Sequence, residues 1–188
     1  MKKKIFALAV IAICLSLFAY GTFAYFSVDD TARNVIMMGR ITVELREWAD
    51  EGKTVAFPED TIYNVIPGTY VTQITEVENT GTNPAWIRLS LDKDITFAPA
   101  VSGTPDPELV QLNLNTVDWI LGTDGFYYYR EALEPGQSTE PLFTTISFDP
   151  AMDGSYEGST ATVEVHVYAV QAEHNGSTVW DAVGWPKP

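Results

Sequence analysis

From Arg40 the chain alternates. Ile41, Val43 and Leu45 are apolar while Thr42, Glu44 and Arg46 are polar, the period-2 pattern of a strand with one face in a core. A polar stretch through Gly52 and Lys53 leads to a weaker strand signal at Thr61 to Ile66, and Pro67-Gly68 makes a turn. Val71 to Asn79 reads as a strand whose alternation is broken, as a bulge would break it. Asn79-Thr80-Gly81-Thr82-Asn83-Pro84 is dense in turn formers. Beyond it, Ile87, Leu89 and Leu91 are predicted to face inward, with Trp86 and Arg88 on the other face.

Residues 92–116 carry Pro99, Gly103, Pro105 and Pro107 without a clear period, which predicts a long surface loop. Val117 to Leu121 and Phe126 to Arg130 flank Gly122-Thr123-Asp124-Gly125, a hairpin signal. The second arm is aromatic on both faces, so both faces are expected to be covered. Leu133-Glu134-Pro135-Gly136 repeats the earlier apolar, Pro-Gly, strand sequence, and Leu142, Thr144, Ile146 and Phe148 alternate after it. After a loop at 149–159, Thr160 to Gln171 is the longest predicted strand, with Val163, Val165, Val167 and Ala169 on one face. In the tail, Ser177 is placed to cap one helical turn that packs down Trp180 and Val183. Seven or more short strands with Pro/Gly turns and almost no helical period predict an all-β fold. The expected architecture is an antiparallel β-sandwich, jelly-roll-like, as a single domain over 40–175 with a tail at 176–188.

The N-terminus follows a different grammar. Lys2, Lys3 and Lys4 precede an apolar run from Ile5 to Ala19, and Thr22 and Ala24 set small residues before a cut at Tyr25. This predicts a secretory signal peptide over 1–24, cleaved between Ala24 and Tyr25, and a secreted protein with no membrane attachment after cleavage. A spanning anchor needs about 20 apolar residues, which this run approaches only if Thr22 to Phe26 are added. Residues 25–39 then form a new N-terminal segment. Phe26 and Val28 lie in it, and Val35, Ile36, Met37 and Met38 make a bare apolar run that wants a partner surface.

Cleavage sharpens the charge. The whole chain carries −14; with the three signal lysines gone, 8 of 11 Lys+Arg remain against 25 Asp+Glu, a net −17. Such an acidic surface disfavours nucleic acid and anionic lipid as partners. The one cysteine, Cys14, leaves with the signal, so neither a disulfide nor thiolate chemistry is expected in the mature protein.

Candidate chemistry is sparse. The histidines are His166 and His174, and no HExxH, GxSxG or glycine-rich phosphate loop occurs. His166 shares a strand face with Glu164, a spacing that alternation alone produces. Asp149, Asp153 and Glu157 follow part of a calcium-loop spacing, but Ala151 and Thr160 stand where two further ligands belong. Phe126 to Tyr129 with Trp119 opposite form either a carbohydrate-stacking platform or cross-strand packing. Asn175-Gly176-Ser177 is a formal glycosylation sequon. No cofactor and no catalytic residue is expected.

Several stretches together resemble a known family. The junction GTFAYFSVDDT with Asn34, Gly39 and the strand ITVEL is similar to the N-terminus of the TasA/camelysin family of secreted Gram-positive matrix proteins. VIPGTYVTQITEVENTGTNPAWIRL, DGFYYYREALEPGQSTEPLF and the closing VYAVQAE resemble later parts of the same family. The resemblance implies export through a SipW-type signal peptidase and a jelly-roll-like sandwich in a cell-surface or biofilm-matrix fibre. It also implies a mature N-terminus that completes the sheet of another copy or of a related matrix protein. The chain departs from the fibre formers in being short and in lacking a lysine-rich tail. The alternatives are a monomeric secreted module for glycan or a surface protein, and a metallopeptidase, the activity that the camelysin name carries.

Overall fold

The alternation that begins at Ile41 becomes β1 (Val43–Trp48), the edge strand of a four-stranded sheet. A two-residue strand, β2 (Tyr63–Asn64), stands where a longer one is predicted, and Gly68 turns the chain with φ +76° into β3 (Tyr70–Asn79). The register of β3 against its neighbour shifts between Thr72 and Thr75, the expected bulge. β4 runs Ala85–Thr96, followed by β5 (Val110–Leu112), β6 (Trp119–Leu121), β7 (Tyr127–Tyr129), β8 (Phe143–Phe148) and β9 (Thr160–Gln171). In this computed structural model the described residues are 41–58, 63–64, 66–99 and 101–187, all in one unit spanning Gly39–Pro188. Residues 1–40, and with them the signal, the cleavage site Ala24/Tyr25 and the apolar segment, lie outside the described residues.

The strands form two antiparallel sheets, ordered β1-β3-β8-β5 and β2-β9-β4-β7-β6. Every connection but β6–β7 passes from one sheet to the other, which gives the sandwich its jelly-roll-like winding. The backbone of the second sheet is the β4–β9 pair, in register from Ala85 opposite Gln171 to Thr96 opposite Thr160. Between the sheets Val77, Ile87, Leu89, Val110, Trp119, Leu142, Phe143, Ile146 and Phe148 are almost wholly buried. They come from inward positions of both sheets, as the period-2 pattern requires. Among the described residues no helix is long and apolar enough to cross a membrane.

Two expectations are corrected. The predicted loop at 92–116 contains strand at both ends. Asp92, Lys93 and Asp94 are held in β4 because β9 supplies a continuous partner there and buried Ile95 anchors the end. Val110–Leu112 pairs with β8 after a 3-10 turn at Pro107–Leu109 that Asp106 caps. The tail forms no helical turn. Val179 and Ala182 are the buried residues of the tail; Trp180, 50% exposed, lays one side of its ring on Tyr128 (centroids 4.8 Å), as expected, while Val183 is 70% exposed. Asp181 receives the Ser177 and Thr178 hydroxyls (3.3 and 2.8 Å), which fixes a tight loop.

Candidate functional site

The sandwich has two sides, and they are built differently. On one side lies β1, whose outer edge is partly covered by its own chain. Phe57 N–H donates to the Glu47 carbonyl (2.8 Å) and Ala49 N–H to the Val55 carbonyl (2.9 Å). These bonds place the backbone groups of odd-numbered β1 residues on the outer edge. By alternation Val43 and Leu45 aim their N–H and C=O the same way, and no described strand pairs with them. A groove of about 460 Å³ runs along this edge, lined by Glu44, Leu45, Arg46, Trp48, Ala56 and Phe57 among others. Across the sandwich from β1 stands β9, which β2 meets only at Thr160 and Ala161. The inner face on this side, Ile41, Val43 and Leu45 with Val163, Val165 and Val167, is only partly covered by described residues.

The other side is guarded. β5 is the edge of its sheet, and its outward carbonyl at Val110 accepts a hydrogen bond from Lys93 Nζ (3.1 Å), which also pairs with Glu108 (3.3 Å). Lys93 stands on the inner face of β4 between Leu91 and Ile95, so its charge sits in a groove of about 480 Å³ lined by Leu91, Val110, Leu112, Leu114 and Tyr127. An inward-pointing lysine at a sheet edge discourages strand addition. The other edge there, β6, has three residues. The break in the inward series Leu89, Leu91, Lys93, Ile95 was the sequence signal for this guard, and charge runs on both flanks hid it.

The remaining candidates are scattered. Asp149 accepts from Ala151 N–H (2.8 Å) and Gln111 Nε2 (2.7 Å), while Asp153 caps a 3-10 turn by accepting from Ser155. Those Ser155 side-chain and backbone bonds hold the Asp153 carboxyl below its ordinary value. Glu157 ends the same turn, and the three do not converge. Among the described residues no group of three His, Cys, Asp or Glu is placed to hold a metal ion. His166 and Glu164 lie 3.9 Å apart, both exposed, and His174 occupies a turn with φ +59°. The aromatic platform does not form either. Trp119 is buried, donating to the Glu140 carbonyl (2.8 Å) and packing on Tyr129 at 5.0 Å, because both point into the core. The Asn175 amide is engaged in both directions with Val183 (2.9 and 3.0 Å).

Phe126 and Tyr128 instead face the tail, on the outer face of the second sheet. There Arg88, 8% exposed, lies under three rings: Phe126 at 3.9 Å, Trp185 at 4.7 Å and Tyr168 at 5.4 Å from the guanidinium carbon. It donates to Tyr128 Oη (3.3 Å) and to the Pro186 carbonyl (3.1 Å), and Asp124 lies 3.7 Å away. Its Nε is buried without a hydrogen-bond partner among the described residues. Burial pushes the Asp124 carboxyl up, but bonds from Tyr128 and Phe126 and the Arg88 charge outweigh it and leave it lowered. Burial, with the bond to Asp124, raises the Tyr128 phenol. Trp86, Tyr128, Val170, Ala172, Val179 and Ala182 make this a small second core.

A family model described as camelysin metallo-endopeptidase matches residues 1–95, half of the chain. The chain belongs to the camelysin family. The matched half includes the open β1 edge, the Asn-Thr-Gly crossover and β4 to within a residue of its end, and stops before β9 and the tail. No curated protein matches the sequence. The metal that the family's description implies finds no fitting donor set among the described residues: no three His, Cys, Asp or Glu converge, and His166 with Glu164 make only a pair at 3.9 Å.

Proposed function

We propose that this camelysin-family protein is a secreted structural component of the cell surface or matrix, assembled through its mature N-terminal segment. The observation that carries the reading is the open β1 edge with its groove, which directly follows that segment in the chain. An extended stretch of residues 25–38 added there would bond to Val43 and Leu45 and turn alternate side chains into the half-covered inner face.

The magnitudes set the length required. In a strand only two of Val35, Ile36, Met37 and Met38 face the groove, worth about 3–6 kcal/mol at 1.5–3 each. Backbone bonds add about 1 kcal/mol apiece. Ordering four residues costs about 4–8 kcal/mol. The four-residue run alone therefore comes close to break-even, and Phe26 and Val28 must contribute as well.

The segment docks on its own β1 or on that of another copy, and size separates the two. Protein beginning at Tyr25 and protein beginning at Arg40 are compared by size-exclusion chromatography and negative-stain microscopy. Filaments or large oligomers from the longer protein alone are the expected result. Monomers from both would refute self-assembly and favour a monomeric binding module. The family's description supports a second reading, a metallo-endopeptidase. Peptide cleavage that a chelator abolishes and zinc restores would establish it.

A further inference from the structure

The open side of the sandwich has two edges, and β9 is the longer. Ala85 exchanges both of its backbone hydrogen bonds with Leu133 (3.0 and 2.8 Å), on the side of β4 away from β9. Odd-numbered β4 residues therefore bond in that direction and even-numbered ones toward β9, where Trp86 stands opposite Val170 and Arg88 opposite Tyr168. By the same alternation Val163, Val165, Val167 and Ala169 turn N–H and C=O to the outer edge of β9. Ala161 does so too, and there Tyr63 of β2 meets it. Beyond Ala161 no described strand pairs with that edge.

This edge carries no guard. Sheets protect free edges with prolines, inward charges or short strands, and here β5 has Lys93 while β6 is only three residues long. The inward residues of β9 are three valines and an alanine, all half-buried, so the same four residues lack cover for side chain and backbone alike. The outer face beside them is acidic. Asp92 stands directly opposite Glu164, Asp94 follows on β4, and all three are exposed. Like charges opposite one another destabilise a sheet. The partner of Glu164 is His166 at 3.9 Å, which carries charge only when protonated. A permanent cation placed there relieves the repulsion.

The segment ahead of β1 has two apolar stretches. Residues 35–38 adjoin β1 in the chain, whereas Phe26 and Val28 alternate with Tyr25 and Ser27. Six residues, 29–34, separate the two, with Asp29, Asp30, Arg33 and Asn34 among them. That is an ordinary length for a connection, and nearly every connection in this fold passes from one sheet to the other. We propose that the β9 edge is a second strand-acceptor site and that residues 25–28 are its occupant, while residues 35–38 of the same segment take β1. The proposal rests on the assembly reading above and divides the segment between two edges. Phe26 and Val28 turn in over the valines of β9, and the α-ammonium that cleavage leaves on Tyr25 lies beside Glu164 and Asp92. Four residues suffice for a strand on so long a partner, since β5, β6 and β7 have three each.

Hydrogen exchange followed by mass spectrometry reads the two edges separately, through peptic fragments covering 41–48 and 160–171, whatever the size of the assembly. Proteins beginning at Tyr25, Asp29 and Arg40 are compared after circular dichroism melts show each to be folded. The protein beginning at Tyr25 is expected to protect both fragments. Removing residues 25–28 should free about two amides in 160–171, the number a four-residue strand pairs, and leave 41–48 unchanged. Removal to Arg40 should free both fragments. Equal exchange of 160–171 in the proteins beginning at Tyr25 and Asp29 overturns the proposal; if 41–48 is still freed at Arg40, the β1 reading stands without it. Equal exchange of both fragments in all three proteins overturns the two together. If the protein beginning at Asp29 fails to fold, Phe26→Ser with Val28→Ser in the protein beginning at Tyr25 makes the same comparison.

Discussion

Replacing Asn79 by alanine tests how the two sheets are tied together. The side chain is fully buried at the end of β3, where the chain leaves one sheet for the other. Its Nδ2 donates to the Leu133 carbonyl (2.7 Å) and the Asn83 carbonyl (2.9 Å), and its Oδ1 accepts from Gly81 N–H (3.0 Å). Three bonds at about 1 kcal/mol each set a ceiling near 3 kcal/mol. Some of that is recovered, because the Leu133 carbonyl still accepts from Ala85 N–H and because Gly81 and Asn83 are partly exposed to water. The expected loss is about 2–3 kcal/mol, or about 4–12 °C in Tm for a domain of this size. Urea unfolding followed by tryptophan fluorescence should show a lower midpoint with an unchanged slope. Asn79→Asp should be worse than alanine, since it keeps the acceptor for Gly81 but turns a carboxylate oxygen toward two carbonyls. A loss under about 0.5 kcal/mol for alanine, the range of an ordinary surface change, or a milder effect for aspartate, would refute the reasoning.

Gly176→Ala should destabilise more than Gly136→Ala. Both sit at positive φ (+85° and +76°), but a Cβ at 176 meets Asp181 Cβ at 2.7 Å, whereas one at 136 meets nothing within 4 Å. Thermal melts should give about 1 kcal/mol for Gly136→Ala and clearly more for Gly176→Ala. Because Asp124 is held below its ordinary value of 3.8, the stability it supplies is present above that pH and is lost as pH falls through the lowered value. Asp124→Asn should accordingly flatten the acid limb of a stability–pH curve, and an unchanged limb would contradict the assignment. Lys93→Val, made in protein beginning at Arg40, removes the guard from β5, so sedimentation velocity should show concentration-dependent association that the same protein with Lys93 lacks; equal behaviour would mean that Lys93 does not protect that edge.

The long strands were legible because their environment is uniform along their length. Ile41 to Leu45, Ile87 to Leu91 and Val163 to Ala169 each keep one face on the core, and period 2 reports that directly. β4 beyond Leu91 was hidden because its outward residues are Asp92 and Asp94 and its inward residue is Lys93, so polarity no longer distinguished the faces. β5 is only three residues, too short for a period, and exists because β8 pairs with it. In the tail Trp180 reaches Tyr128 as expected, but the buried positions are Val179 and Ala182 and Val183 is exposed, since a helical turn and a hydrogen-bonded loop place different residues inward. Coverage of both faces of the aromatic hairpin was legible. That Arg88 and Trp185 supply the cover was not, because they meet only through the finished sheet. That no described strand pairs with the outer edge of β1 is likewise a property of strand order.

The winding of the chain between sheets has a consequence for how the protein reaches its working form. β1 finds β3 after a short stretch of chain, but β4 waits for β9, its longest partner and the last strand in the sequence. Contacts so distant along the chain make folding slow. Were the chain exported from its N-terminus, as proposed above, its leading segment would emerge well before any finished sandwich of its own exists to receive it. In the assembly proposed above, a newly emerged chain would meet sandwiches completed by earlier molecules before its own is closed, and order of arrival would favour the neighbour over the self.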